Sequence, residues 1–372
     1  MDDGRSVRVG VIGGGSVAEA VHIPGLQMAG AHIVGLAHPR EGRRIEVARK
    51  CHIPLQFADY HDLLKEDRVD AVVVCSPNGT HHEIVERALR EGKHVLCEKP
   101  LALTASQALD LATLAERCDL VGMVAFTFRF VPALRYLEHL VRDGVIGRPL
   151  HWRAVNFTDS FADPLAPLGW RGRKAESGGG ALMDLGPHLV DLALWLVGDI
   201  AEVSAEVATF YPVRPAGGGG NQEIDVDDSS VFLARFAGGA LGTFELSRVV
   251  PGRGGTLRWN HQVIELAGSE GAVEYRLERP NQLRVCHGPV LTAGHAWADI
   301  EVPDDFKKVT GSVRNPHLPE PPMTFRFDQA VAWVRAIQGL QTPSPDFRDG
   351  WRCQQVLDAI RGASESRRWV KV

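Results

Sequence analysis

Val7-Arg8-Val9-Gly10-Val11-Ile12-Gly13-Gly14-Gly15-Ser16-Val17-Ala18 is the stretch on which the fold turns. A β-rich apolar run ends at Ile12, and three glycines then lead into a helical pattern over residues 16–29. A strand that passes through G-x-G-x-x-A into a helix is suited to a phosphate. Gly13 permits the tight turn, Gly15 lets the backbone approach a pyrophosphate, and Ala18 lets the helix lie close to the strand. Ser16 and Val17 open that helix, where N–H groups have no intrahelical acceptor and favour an anion.

Outward from this point, strand and helix patterns alternate over the first 125 residues. Residues 32–37, 69–75 and 93–97 read as strands, and 42–51, 81–90 and 106–117 as helices. The run 69–75 is almost wholly Val and Ala, as a strand buried on both faces requires. Such βαβ alternation specifies a parallel sheet with right-handed crossovers. The second strand ends in Ala37-His38-Pro39-Arg40, with Arg43 and Arg44 following and no carboxylate at 38. An arginine there can pair with a 2′-phosphate, so NADP is favoured over NAD, with His38, Arg40 and Arg43 around the adenosine ribose. Glu41 is the alternative ribose partner.

Beyond Arg129 the pattern changes to period-2 strands at 151–157, 202–210, 229–236, 240–247, 263–267 and 273–276, with helices at 182–197, 328–340 and 351–364. One apolar and one polar face per strand fits a mostly antiparallel sheet packed on helices. The fold class expected is α/β: an N-terminal doubly wound (Rossmann) parallel sheet plus a C-terminal α+β domain with an open, mostly antiparallel sheet. Residues 1–128 form the dinucleotide-binding domain, and 129–372 the substrate-binding and oligomerisation domain, with the last helix free to pack back on the first. Residues 214–225, with four consecutive glycines, and 302–322, rich in proline and charge, read as surface loops.

The chain has 372 residues, is 44% hydrophobic and 23% charged, and carries a net charge of −5, the profile of a water-soluble two-domain protein. No basic block suggests nucleic acid. No secretory layout opens the chain, and no apolar run approaches the roughly 18 residues of a membrane span. Six scattered cysteines, none in C-x-x-C, suggest idle thiols in a reducing cytoplasm and no zinc site. Asp227-Asp228 reads as a turn and register device, and no metal site is expected.

Two further stretches carry chemistry. Cys97-Glu98-Lys99-Pro100 closes an apolar strand, which places a lysine where ligands of a doubly wound sheet sit. Gly178-Gly179-Gly180-Ala181-Leu182-Met183-Asp184-Leu185-Gly186-Pro187-His188 sets Asp184 and His188 four residues apart, on one face of a helix that Pro187 begins or kinks. The glycine run ahead of them reads as a flexible approach to a cleft. Oxidising a secondary alcohol sends a hydride to a nicotinamide and a proton to a base. A histidine serves as that base near neutral pH, and a lysine stabilises the developing alkoxide.

Together with the glycine fingerprint, these motifs resemble the Gfo/Idh/MocA family, that of glucose-fructose oxidoreductase and inositol dehydrogenase, from about Val7 to Val370. The resemblance implies an NAD(P)-dependent oxidoreductase of a sugar, cyclitol or related polyhydroxy compound, with Lys99, Asp184 and His188 as its catalytic set. Ser76-Pro77-Asn78-Gly79-Thr80-His81 is similar to the family's T-P-N-x-x-H loop beneath the nicotinamide ribose, with Asn78 the hydrogen-bonding residue. Ser76, Pro77 and His81 belong to the same cofactor loop. Glu98 is expected to orient Lys99 or the nicotinamide surroundings. Arg129 is expected at the cofactor or substrate, and Trp170 and Arg171 at the substrate. His22 matches the family pattern as a structural residue. The resemblance also implies a homodimer or homotetramer in which a partner subunit covers the open sheet. Two rivals stay open: a redox-neutral NAD-using enzyme that cleaves a glycosidic bond, and a non-catalytic nucleotide-binding regulator.

Overall fold

The computed structural model describes residues 6–216, 218–253, 260–287, 297–316 and 323–372. Its contacts divide the chain into two units. One is Met1–Phe130 with Lys308–Arg352, and the other is Val131–Lys307 with Cys353–Val372.

The first unit is built on six strands: β1 (Arg8–Ile12), β2 (His32–Ala37), β3 (Leu55–Phe57), β4 (Ala71–Val74), β5 (His94–Cys97) and β6 (Gly122–Val124). They lie in the order β3-β2-β1-β4-β5-β6 and every pairing is parallel. This is the doubly wound order, and it reverses direction between β1 and β4. Val9, Val11, Ala71, Val72, Val73 and Val74 are all fully buried, which explains the unbroken apolar run at 71–74. The helix entered at Ser16 is interrupted by a π-turn, Ala18–His22, before Ile23–Met28 continues it. Pro24 has no N–H to give to the helix, and just ahead of it the ladder slips one residue, with the Ile23 N–H reaching the Ala18 carbonyl.

The segment 308–352 was expected in the second domain, and here it groups with the first. The cause is hydrophobic. Ala330, Ala332, Trp333, Val334 and Ala336 of the helix Asp328–Ile337 join Val9, Ile23, Leu26 and Phe130 in one buried cluster. Trp333 is fully buried there. The chain accordingly passes between the units after residues 130, 307 and 352, where a single boundary after 128 was expected.

The second unit carries β7 (Pro149–Phe157), β8 (Ile200–Ala208), β9 (Val213–Pro215), β10 (Asn221–Glu223), β11 (Ser229–Phe236), β12 (Leu241–Ser247), β13 (His261–Gly268), β14 (Gly271–Arg276), β15 (Gln282–His287), β16 (Ala298–Glu301) and β17 (Val370–Lys371). Nine of them form one sheet, β16-β15-β14-β13-β7-β12-β11-β8-β17, antiparallel except for β7 beside β12. On β11, Ser230, Phe232, Ala234 and Phe236 point into the core, and Phe232 stacks on Phe244 at 4.3 Å. The opposite face is less polar than the period-2 pattern implies. Val231, Leu233 and Leu241 are about half exposed on it, and Trp297 and Trp369 flank them.

Two readings need correction. Residues 214–225 are not simply a loop, because β9 and β10 pair through them, Gln222 facing Arg214. Arg214 drives this: it is buried and donates to the carbonyls of Phe161 at 2.7 Å and Asp163 at 2.6 Å. Within 302–322, Asp304–Lys307 forms a helical turn, and 317–322 lie outside the described residues. No helix among the described residues is long and apolar enough to cross a membrane.

Candidate functional site

In the first unit the loops after β1, β4 and β5 emerge along one edge of the sheet, on both sides of its reversal point. Gly13 has φ +101°, and a Cβ there would stand 2.5 Å from the Cys75 carbonyl oxygen, so only glycine fits. Its N–H donates to the Ala37 carbonyl at 2.9 Å, which ties the loop to β2 as well. Gly15 is different: a Cβ there would meet nothing within 4 Å. This open, exposed backbone at a helix start is the cradle a pyrophosphate fills, and it is where the fingerprint expects one. The glycine loop therefore fits a dinucleotide on its own geometry.

The ribose end is more constrained than the sequence suggests. Arg43 donates to the Gly14 carbonyl at 2.7 Å and pairs with Glu19 at 2.5 Å and Glu46 at 3.0 Å. Arg44 donates to the His38 carbonyl at 2.8 Å. The His38 ring accepts the Arg40 backbone N–H at 3.0 Å and packs over Gly14, and burial lowers its pKa. Only Arg40 of the three arginines is left exposed with no hydrogen bond or ion pair on its guanidinium among the described residues.

Ser76, Pro77 and Asn78 sit half-buried directly after β4, Asn78 opening a short 3₁₀ turn. His81 is placed differently. It is fully buried, with Nδ1 2.7 Å from the Pro100 carbonyl and Nε2 3.0 Å from the Ser76 carbonyl. Burial lowers its pKa, while the two carbonyls ask for the protonated ring. Burial is the larger effect, so the ring is neutral and donates one hydrogen bond at a time. Its role is to clamp the loop after β4 to the segment after β5.

Lys99 leaves β5 half-buried, its backbone N–H donating to Glu98 Oε2 at 3.2 Å. Glu98 Oε1 in turn lies 2.7 Å from Nε2 of the buried His22, which the π-turn carries. Burial pulls the His22 pKa down, but Cys75 and Glu98 outweigh it and push it up to about 10. Glu98 thus meets the Lys99 backbone N–H with one carboxylate oxygen and His22 with the other. Arg326 was missed. Its pKa is lowered by burial and supported by the Glu98 charge, and it lies more than 200 residues from Glu98 with no local pattern to mark it. Arg129 is buried and paired with Asp349 at 3.1 Å. Asp349 and Asp346 exchange backbone-to-carboxylate bonds at the start of the helix Phe347–Ser366, so one function of Arg129 is to hold that helix start.

In the second unit, Asp184 and His188 fall on two short helices, Ala181–Asp184 and Gly186–Leu196, with the break at Leu185. Pro187 cannot donate to the Met183 carbonyl one turn back, which ends the first helix. His188 is buried and Asp184 half-buried. The glycines ahead of them are locked, not flexible. A Cβ on Gly180 would lie 1.6 Å from the Asp227 carbonyl oxygen. The Asp227 carboxylate accepts the N–H groups of Gly180 and Leu182, both at 2.7 Å, and so caps the helix that ends in Asp184. Asp227 is therefore more than a turn residue. Arg248, buried, donates to the Asp227 carbonyl at 2.9 Å, and Asp184 opposes the lowering of its pKa by burial. Trp170 and Arg171 lie half-buried on a 3₁₀ turn, the guanidinium 4.4 Å from the indole centroid. Among the described residues no His, Cys, Asp and Glu cluster is arranged to hold a metal.

Comparison with known proteins adds three findings. Residues 7–126 match the model of the oxidoreductase family with an NAD-binding Rossmann fold, and residues 134–274 match the GFO/IDH/MocA C-terminal domain. The chain is 29% identical to levoglucosan dehydrogenase of Pseudarthrobacter phenanthrenivorans, over 99% of this chain and 98% of that one. It is 30% identical to myo-inositol 2-dehydrogenase of Thermotoga maritima, over 72% and 74%. A levoglucosan dehydrogenase structure in complex with NADH and L-sorbose superposes with a TM-score of 0.91 at 29% identity, over 99% of each chain.

The two glycines separate binding from folding. Gly15→Val is expected to leave the thermal midpoint within about 2 °C while weakening NADH binding at least tenfold in a fluorescence titration, a loss of about 1.4 kcal/mol. Unchanged NADH affinity would show that the open space at Gly15 holds no phosphate.

Proposed function

The chain belongs to the Gfo/Idh/MocA oxidoreductase family, and from that premise we propose that it moves a hydride between a nicotinamide dinucleotide and a secondary hydroxyl or carbonyl of a sugar, cyclitol or related polyhydroxy compound. One observation carries the reading. The glycine loop, Ser76–Asn78 and Lys99 leave neighbouring parallel strands β1, β4 and β5 at the same edge, across the reversal point.

When bound, the nicotinamide accepts or gives the hydride. The chain supplies the rest. Gly13, Gly15, Ser16 and Val17 receive the pyrophosphate. Ser76, Pro77 and Asn78 carry the nicotinamide ribose, with Glu98 and Arg129 as further cofactor-side residues. Lys99 holds charge developing on the substrate oxygen. His188 takes or returns the hydroxyl proton, and Asp184 orients the imidazole or binds an adjacent hydroxyl. Trp170 walls the pocket with its indole and Arg171 offers a cation to substrate oxygens. The six free thiols fit a reducing, cytoplasmic setting.

Two finer features are part of the proposal. NADP is favoured over NAD through Arg40, since Arg43 and Arg44 are spent on the loop. The open sheet face with Val231, Leu233 and Leu241 suits a second copy of the chain, as homodimer or homotetramer.

Lys99→Met is expected to lower turnover of a responsive polyol, screened from levoglucosan and inositols, by about 10²–10³-fold with NAD(P)H affinity retained. Persistent turnover removes Lys99 from the chemistry. NADPH is expected to bind more tightly than NADH, and Arg40→Ala to erase the difference; tighter NADH binding overturns the preference. Light scattering is expected to give two or four copies, reduced by Leu233→Glu, whereas a monomer contradicts the sheet-face assembly.

A further inference from the structure

Three consecutive N–H groups at the start of the helix Ala181–Asp184 go to one residue. The Asp227 carboxylate accepts those of Gly180 and Leu182, both at 2.7 Å, and the Asp227 carbonyl accepts that of Ala181 at 3.0 Å. Asp184, at the far end of the turn, donates its own N–H to the Gly180 carbonyl at 3.0 Å. Arg248 closes the arrangement from behind. It is 1% exposed, and its Nη2 donates to the same Asp227 carbonyl at 2.9 Å. That nitrogen also stands 2.8 Å from where a Cβ of Gly180 would be. The Arg248 guanidinium lies 4.8 Å from the Phe161 ring centroid, and its Nε is buried without a hydrogen bond. A buried guanidinium is costly unless charges around it compensate. The carboxylates flanking it are spent elsewhere. Asp227 uses both oxygens on the helix, and Asp228 accepts the N–H groups of Phe210 and Tyr211 and faces Arg214 at 3.9 Å.

We propose that Asp227 and Arg248 are positioning residues for the hydride transfer, which fix the turn carrying Asp184 and contribute to turnover through Asp184 alone. The inference rests on the reading above, in which Asp184 takes part in the reaction. The break at Leu185 leaves that turn four residues long, too short to hold its own geometry. Asp227 fixes its first N–H groups, and Arg248 fixes Asp227 from the end of β12. A displacement of about 1 Å in a reacting group can cost about 10²-fold in rate, so the hold matters more to turnover than to folding. The Arg248 charge supports the same assignment, since Asp184 opposes the effect of burial on it more than Asp227 or Asp228 does.

The test is a double-mutant cycle in the full chain, with turnover of levoglucosan or myo-inositol expressed per nucleotide site counted by NAD(P)H titration. Arg248→Met is expected to lower kcat by about 10²-fold with NAD(P)H affinity retained. In an Asp184→Asn background the same change is expected to cost less than about threefold, because the residue it acts through is already gone. Arg248→Lys, which keeps the cation, is expected to recover about tenfold of the loss. Equal losses in the two backgrounds would show a general structural role and overturn the proposal, as would an unchanged kcat in Arg248→Met. Where Arg248→Met fails to fold, Asp227→Asn, of the same size as the original, takes its place in the cycle. Hydrogen–deuterium exchange gives a readout free of turnover. Either variant is expected to speed exchange at residues 180–184 and leave 13–18 as it was, and unaltered exchange at 180–184 overturns the hold on Asp184. If the unchanged protein turns over neither polyol, the functional reading loses its support while exchange still decides whether Asp227 and Arg248 fix this turn.

Discussion

The nucleotide end of this molecule depends on how closely the backbone at Gly13 approaches Cys75. At 2.5 Å from a would-be Cβ to the Cys75 carbonyl oxygen, no side chain is tolerated. The approach draws the loop after β1 onto the end of β4, at the point where the strand order reverses. Burial supplies the force behind it. The valines of β1 and β4 are wholly removed from water, each worth about 1.5–3 kcal/mol. A sheet that apolar leaves no place for polar chemistry except its strand ends, which is where the glycine loop, Ser76, Asn78 and Lys99 are found. His81 then sits between two of those ends, a carbonyl from each at one of its ring nitrogens.

The second unit meets a related problem with a carboxylate. Its helix Ala181–Asp184 is too short to be stable alone. Asp227 supplies the missing acceptors by receiving two of its first N–H groups, and its backbone packs against Gly180 closely enough to exclude any Cβ. Arg248 anchors the same aspartate and lies in the field of Asp184. The position of Asp184 is therefore set from the residues flanking β11 and β12 as much as from its own helix.

The parallel sheet was legible because its signals are local. Val7–Ala18 holds strand, turn and helix in a dozen residues, and the Val/Ala run of β4 declares its own burial. The motif around Lys99 was legible for the same reason. What stayed hidden depends on distance along the chain. Nothing near Trp333 says that it completes a core laid down by residues 7–130, and nothing near Arg326 points to Glu98. The arginines after β2 look alike in sequence, yet Arg43 and Arg44 are spent on the loop and Arg40 is not, a distinction made by Glu19, Glu46 and two carbonyls. His81 reads as a cofactor-loop residue by motif, and only the fold shows a carbonyl at each of its nitrogens. The outward face of the nine-stranded sheet follows period 2, but the pattern alone does not reveal that Val231, Leu233 and Leu241 gather there.

The central claim is that a nicotinamide dinucleotide lies across the ends of β1 and β4. Hydrogen–deuterium exchange of the full chain, with and without saturating NADPH or NADH, tests it most directly. The account predicts slowed exchange in 13–18 and 75–81, with the outer strands of the second-unit sheet unchanged. Protection confined to other segments, at a nucleotide concentration shown to saturate binding, would contradict it.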